Sequence, residues 1–114
     1  MYVFAAVLAA SFALSSERAH AAVEVQLSPS SSSPQPVGST VVWTAAATDT
    51  NPGTFDYRFS VRPPGGVYAV VRDFAPSNSF EWTPSEREGT FDVRVAARNA
   101  STGEVSQLTA SYSV

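Results

Sequence analysis

Phe55-Asp-Tyr-Arg-Phe-Ser-Val61 sets Phe55, Tyr57, Phe59 and Val61 on one parity and Asp56, Arg58 and Ser60 on the other. Side chains on a strand alternate between its two faces, so the segment has one apolar and one polar side and reads as a half-buried β-strand. Phe91-Asp-Val-Arg-Val-Ala-Ala-Arg98 repeats the pattern. Two such strands in a chain of 114 residues point first to an all-β fold, a two-sheet antiparallel sandwich.

The flanking sequence supplies the other strands. Val23 to Leu27 alternates, and the proline-rich Ser28–Pro36 stretch after it resists both helix and ladder formation. Thr40 to Thr48 carries Trp43, and Tyr68 to Phe74 follows the turn Pro63-Pro-Gly-Gly66. A short strand surrounds Phe80 and Trp82, Thr90 to Arg98 contains the second alternating run, and Val105 to Val114 sets Leu108, Ala110, Tyr112 and Val114 on one parity. The sum is seven strands separated by turn-formers, with no competing helical period. Trp43 and Tyr57 are expected in the core. Trp43 and Trp82 could instead form a sugar-stacking platform, although large aromatics in alternating strands ordinarily face inward. If the third and sixth strands are antiparallel neighbours, Asp56 and Arg58 should lie near Asp92 and Arg94, where opposite charges would hold register.

Residues 1–21 belong to another class. Val3 to Leu14 is an apolar run without charge, and Ala19-His20-Ala21 is a small-x-small site of the kind signal peptidase cleaves. The run is shorter than the roughly 20 residues of a membrane-spanning helix. Met1-Tyr2 lacks the usual basic start, but the segment still reads as a leader, with residues 22–114 as the exported domain. The expected location is secreted or periplasmic, with no membrane span after cleavage.

Composition narrows the chemistry. With 44% hydrophobic, 11% aromatic and 15% charged residues the chain is globular, and its basic residues are all Arg, scattered among Asp and Glu at a net charge of −3. No basic stripe marks a nucleic-acid partner. There is no cysteine, and the single histidine, His20, falls in the leader. Residues 22–114 therefore lack a thiol, an imidazole and an amine side chain, which leaves no activated nucleophile and base pair. No catalytic residue, and no cofactor, is expected.

The loop Asp49-Thr-Asn-Pro-Gly-Thr-Phe-Asp56 offers oxygens from Asp49, Asn51 and Asp56 that could suit calcium, though without the ligand count of an EF-hand loop. Asn51-Pro52-Gly53 is also a good tight turn and explains the loop by itself. Asn99-Ala100-Ser101 fits the N-glycosylation sequon. Glu86 and Glu88 lie in a polar turn and read as solvated rather than as a catalytic pair.

Several segments together resemble a family: Pro34-Gln-Pro-Val-Gly38, Val42-Trp-Thr-Ala45, Asp56-Tyr-Arg-Phe59, Val71-Arg-Asp-Phe-Ala-Pro-Ser-Asn78, Glu81-Trp-Thr-Pro84 and Glu88-Gly-Thr-Phe91. They are similar to bacterial extracellular immunoglobulin-like modules of the polycystic-kidney-disease and three-tyrosine types. The nearer likeness is to the β-sandwich preceding the propeller of some secreted bacterial arylsulfotransferases. Phe74 and Phe91 stand where that family has tyrosines. The resemblance implies a non-catalytic accessory domain, because the family's sulfuryl-carrying histidine belongs to the propeller and has no counterpart here. Expected partners are a C-terminal catalytic domain or another extracellular protein. The alternative is a free-standing carbohydrate- or protein-binding module, and in either case a monomer is expected.

Overall fold

Residues 23–114 are described by a computed structural model, and the leader reading of residues 1–21 lies outside them. The described residues form seven strands and no helix: β1 (Glu24–Pro29), β2 (Val41–Thr48), β3 (Phe55–Arg62), β4 (Ala69–Ala75), β5 (Ser79–Trp82), β6 (Thr90–Asn99) and β7 (Val105–Ser113). Each expected strand is present, displaced at its ends by at most a residue or two. The strands divide into two antiparallel sheets, β1-β2-β5 and β4-β3-β6-β7.

The alternation in β3 and β6 drives this arrangement. Tyr57, Phe59 and Val61 on β3 and Val93, Val95 and Ala97 on β6 are buried, and β2 contributes Val41, Trp43 and Ala45 from the opposite sheet. These side chains make two apolar clusters. One gathers Trp43, Trp82, Phe91 and Tyr112, the other Val23, Tyr57, Phe59 and Val95, and Leu27 and Phe80 pack against both. Trp43 is fully buried, edge-on to Tyr112 at a centroid distance of 5.4 Å and tilted against Trp82 at 6.3 Å. Both tryptophans therefore belong to the interior, and the sugar-platform alternative fails because their rings are occupied by neighbours.

The connections follow local chemistry. Gly66 N–H donates to Pro63 O at 2.9 Å, and Gly65 at φ +71° takes the position of the β3–β4 turn that only glycine adopts without strain. The proline-rich segment after β1 is tied down by a buried hydroxyl, since Tyr112 Oη donates to Ser31 O at 2.7 Å. Arg72, on the inner side of β4, donates its guanidinium to Ser79 O and to Ser77 Oγ at 3.2 Å, so it stitches one sheet to the start of β5 in the other.

One expected proximity is corrected. The β3–β6 register sets Asp56 opposite Arg98 and Arg62 opposite Asp92, while Arg58 faces Ala96. Asp56 therefore pairs with Arg98 and Asp92 with Arg62, while Arg58 is only a diagonal neighbour of Arg94. The pairing is antiparallel and continues to Asn99, so the start of β3 meets the end of β6.

Replacing Trp43 with Ala removes the largest buried side chain and should cost about 3–5 kcal/mol. Denaturant melts of the two chains should show this loss, and a Trp43→Ala chain melting at the parental midpoint would show the ring to be dispensable.

Candidate functional site

The strand ends bring one polar cluster together. Asn51 N–H donates to Asp49 Oδ1 at 2.9 Å, and Asn99 Nδ2 donates to Asp49 Oδ2 at 2.7 Å. Asn99 Oδ1 accepts from Ser101 N–H at 2.8 Å, and the Asn99 backbone closes the β6–β7 turn through Glu104 O and Gly103 N–H. Asn99 is fully buried, so it clamps the loop after β2 to the turn after β6. Gly53 lies against it at φ +146°, where a Cβ would come within 2.2 Å of Asn99 Oδ1. The Asn51 amide, followed by the Asn99 side chain, holds the Asp49 carboxyl below the usual carboxylate range.

The calcium candidates are thus committed to different partners. Asp49 has both oxygens bonded within the clamp, Asn51 supplies backbone, and Asp56 pairs with Arg98 at 3.3 Å on the outer face of β3 and β6. Among the described residues no group of three or more His, Cys, Asp or Glu side chains is placed to hold a metal ion.

That outer face carries a second cluster. Arg58 and Arg98 lie over the Phe74 ring, 4.4 and 4.1 Å from its centroid, and Arg62 and Arg94 lie over Tyr68 at 5.2 and 3.9 Å. Arg58 also pairs with Asp73 at 2.9 Å, and Arg62 with Asp92, which accepts from Ser111 Oγ at 2.9 Å. The stacked guanidiniums flank Ser60 and Ala96, which accounts for the burial of two small residues on the solvent side of a sheet. The Phe74 amide and then Arg58 keep Asp73 ionised to lower pH than usual, and Arg62 and then Ser111 do the same for Asp92. Each of these carboxylates has a hydrogen-bonding partner that favours its ionised form.

The third feature is a cleft of about 300 Å³ between the β3–β4 turn and the β5–β6 loop, lined by Pro63, Thr83, Pro84, Ser85, Glu86, Arg87 and Phe91. Arg87 Nη1 donates to Pro64 O at 2.9 Å and braces one wall against the other. Glu86 lies in this wall and is exposed, as is Glu88 beyond it.

The Asn99 clamp and the arginine–aromatic stacks escape a reading by parity alone. A signal for the stacks does exist: Arg recurs four residues apart on both β3 and β6, at 58 and 62 and at 94 and 98, beside aromatic residues at 68 and 74. No protein-family model matches the chain, and no curated protein matches it closely enough to count as a relative.

Two outcomes test this account. Asn99→Ala should destabilise the chain by about 2–4 kcal/mol, since it deletes a hydrogen bond to a carboxylate and strands the Ser101 amide; a thermal melt within a degree of the parent would refute the clamp. The second concerns acid. Because Asp49, Asp73 and Asp92 titrate lower when folded, the unfolded chain binds more protons across that interval, and stability falls as pH drops. The midpoint of thermal unfolding should hold steady above about pH 5 and fall through pH 4 and below. Asp92→Asn should flatten that fall; a chain whose midpoint rises in acid would contradict it.

Proposed function

We propose that the chain is a non-catalytic, exported immunoglobulin-like module, acting as the N-terminal accessory domain of a larger secreted enzyme such as an aryl-sulfate sulfotransferase. The observation that supports the non-catalytic part is compositional: residues 22–114 contain no Cys, His or Lys, and Asp49, Asp73 and Asp92 are each engaged by a neighbouring side chain of the same sandwich. The immunoglobulin-like part draws support from strand order. Taking β1 to β7 as A, B, C, C′, E, F and G, the sheets read A-B-E and C′-C-F-G, a three-plus-four division in keeping with Greek-key sandwiches of that class. Phe91, at the start of the sixth strand, lacks the hydroxyl of a tyrosine corner, and the Tyr112–Ser31 bond supplies a tyrosine-to-backbone tie elsewhere.

The export reading rests on the sequence of residues 1–21, and the reading of attachment to a sulfotransferase propeller rests on the segment resemblance. A second reading, a module that binds carbohydrate or protein on its own, is favoured by the cleft over Phe91, whose proline walls and polar Ser85, Glu86 and Arg87 suit a small polar ligand.

Incubation of the purified chain with a chromogenic aryl sulfate and a phenol acceptor should give turnover equal to a buffer blank, with and without calcium. Turnover above blank that disappears in an Asp49→Ala, Asp56→Ala double variant would overturn the non-catalytic assignment. A saturable response to an oligosaccharide panel, abolished by Arg87→Ala, would move the reading to the second.

A further inference from the structure

An edge strand exposes backbone N–H and C=O groups that pair with another strand unless something guards them. The edges of the two sheets are β1, β5, β4 and β7. β1 contains Glu24 and ends at Pro29, β5 is four residues long and contains Glu81, and β4 carries Arg72 and Asp73 and is irregular against β3. β7 differs: Val105-Ser-Gln-Leu-Thr-Ala-Ser-Tyr-Ser113 has nine residues and no charge, proline or glycine.

The ladder determines which of its backbone groups are free. Gly89 and Val114 exchange both of their bonds, each 3.0 Å long. Such pairs recur at every second residue of an antiparallel ladder, so Tyr112, Ala110, Leu108 and Ser106 bond to β6 opposite Phe91, Val93, Val95 and Ala97. Val105, Gln107, Thr109 and Ser111 then direct N–H and C=O away from the sheet. Ser113, of the same parity, uses its outward carbonyl to accept from Gln35 N–H at 3.2 Å. From Val105 to Ser111 the outward groups have no backbone partner among the described residues. Leu108 shares the core-facing side with Ala110 and Tyr112, yet 39% of it is exposed.

We propose that β7 pairs antiparallel with β7 of a second copy of this chain, about a two-fold axis at Leu108. The strand is nearly symmetric there, with small Ser106 and Ala110 on the core side and polar Gln107 and Thr109 on the other. In this register Gln107 exchanges both bonds with Thr109 of the second copy, and Val105 does so with Ser111. Leu108 meets its own counterpart in a non-bonded pair, where side chains approach most closely, and each covers the exposed part of the other. A two-fold axis brings every charge near the axis close to its own like, so a neutral strand suits this pairing in a chain of net charge −3. The two four-stranded sheets become one continuous sheet, which replaces the monomer expected from sequence. The pairing does not depend on the accessory-module reading.

The absence of cysteine makes the register measurable in the full chain. In Leu108→Cys the two thiols fall within disulfide reach, and mild oxidation should yield covalent dimer roughly tenfold faster than in Gln107→Cys or Thr109→Cys, which oppose each other rather than themselves. Thr102→Cys, in the exposed turn after β6, gives the rate of random collision. Sedimentation of the unmodified chain should show a dimer fraction rising with concentration. Leu108→Lys should remain monomeric while keeping the parental melt, since the side chain is already part-exposed. If Leu108→Cys crosslinks no faster than Thr102→Cys, or if the three β7 positions crosslink alike, the proposal is overturned.

Discussion

Two sheets facing each other leave a gap of about 10 Å that only large side chains can fill from both sides. Here Trp43 from β2 and Trp82 from β5 enter from one sheet and Phe91 and Tyr112 from the other, meeting at centroid distances of 5.2 to 5.6 Å. Most of the structure depends on that meeting. It holds the two sheets together without a disulfide, and it positions the Tyr112 hydroxyl to anchor the proline-rich segment after β1. Trp43 Nε1 is buried with no acceptor among the described residues, so the packing of the ring outweighs an unmade hydrogen bond.

The charges are paired on the outside of this core. On the outer face of the four-stranded sheet, arginines lie over Tyr68 and Phe74 and their remaining N–H groups reach Asp56, Asp73 and Asp92. Guanidinium suits this double duty because it is planar, stacks on rings and bonds carboxylates along its edge. The use of Arg without Lys throughout the chain gains a physical reason at these four positions. The result is a sheet whose solvent face carries stacked arginines, while from Val105 to Ser111 the edge of β7 has no backbone partner among the described residues.

Strand-level structure was legible in the sequence because a strand's two-residue period is written directly in Phe55–Val61 and Phe91–Arg98. What parity cannot supply is register. Sliding β3 along β6 by an even number of residues preserves every inward side chain and changes the charge pairs, which is why parity alone puts Asp56 and Arg58 near Asp92 and Arg94 while Asp56 lies beside Arg98. The same limit hid the Asn99 clamp, since its partners Asp49 and Ser101 join only once the β3–β6 register has brought the loop after β2 to the turn after β6. Leu108 shows the limit of parity at an edge, where an inward direction does not ensure cover.

The clamp also bears on the order of events during synthesis. Asn99 begins a sequon, but its amide nitrogen is enclosed and bonded to Asp49 in the folded chain. A transferase could reach that nitrogen only before β6 docks, and a glycan installed there would occupy the space that the loop after β2 must enter. Modification and native closure of that end of the sandwich are mutually exclusive, so in a host that glycosylates nascent chains the two would compete for each molecule, and the faster would decide its fate.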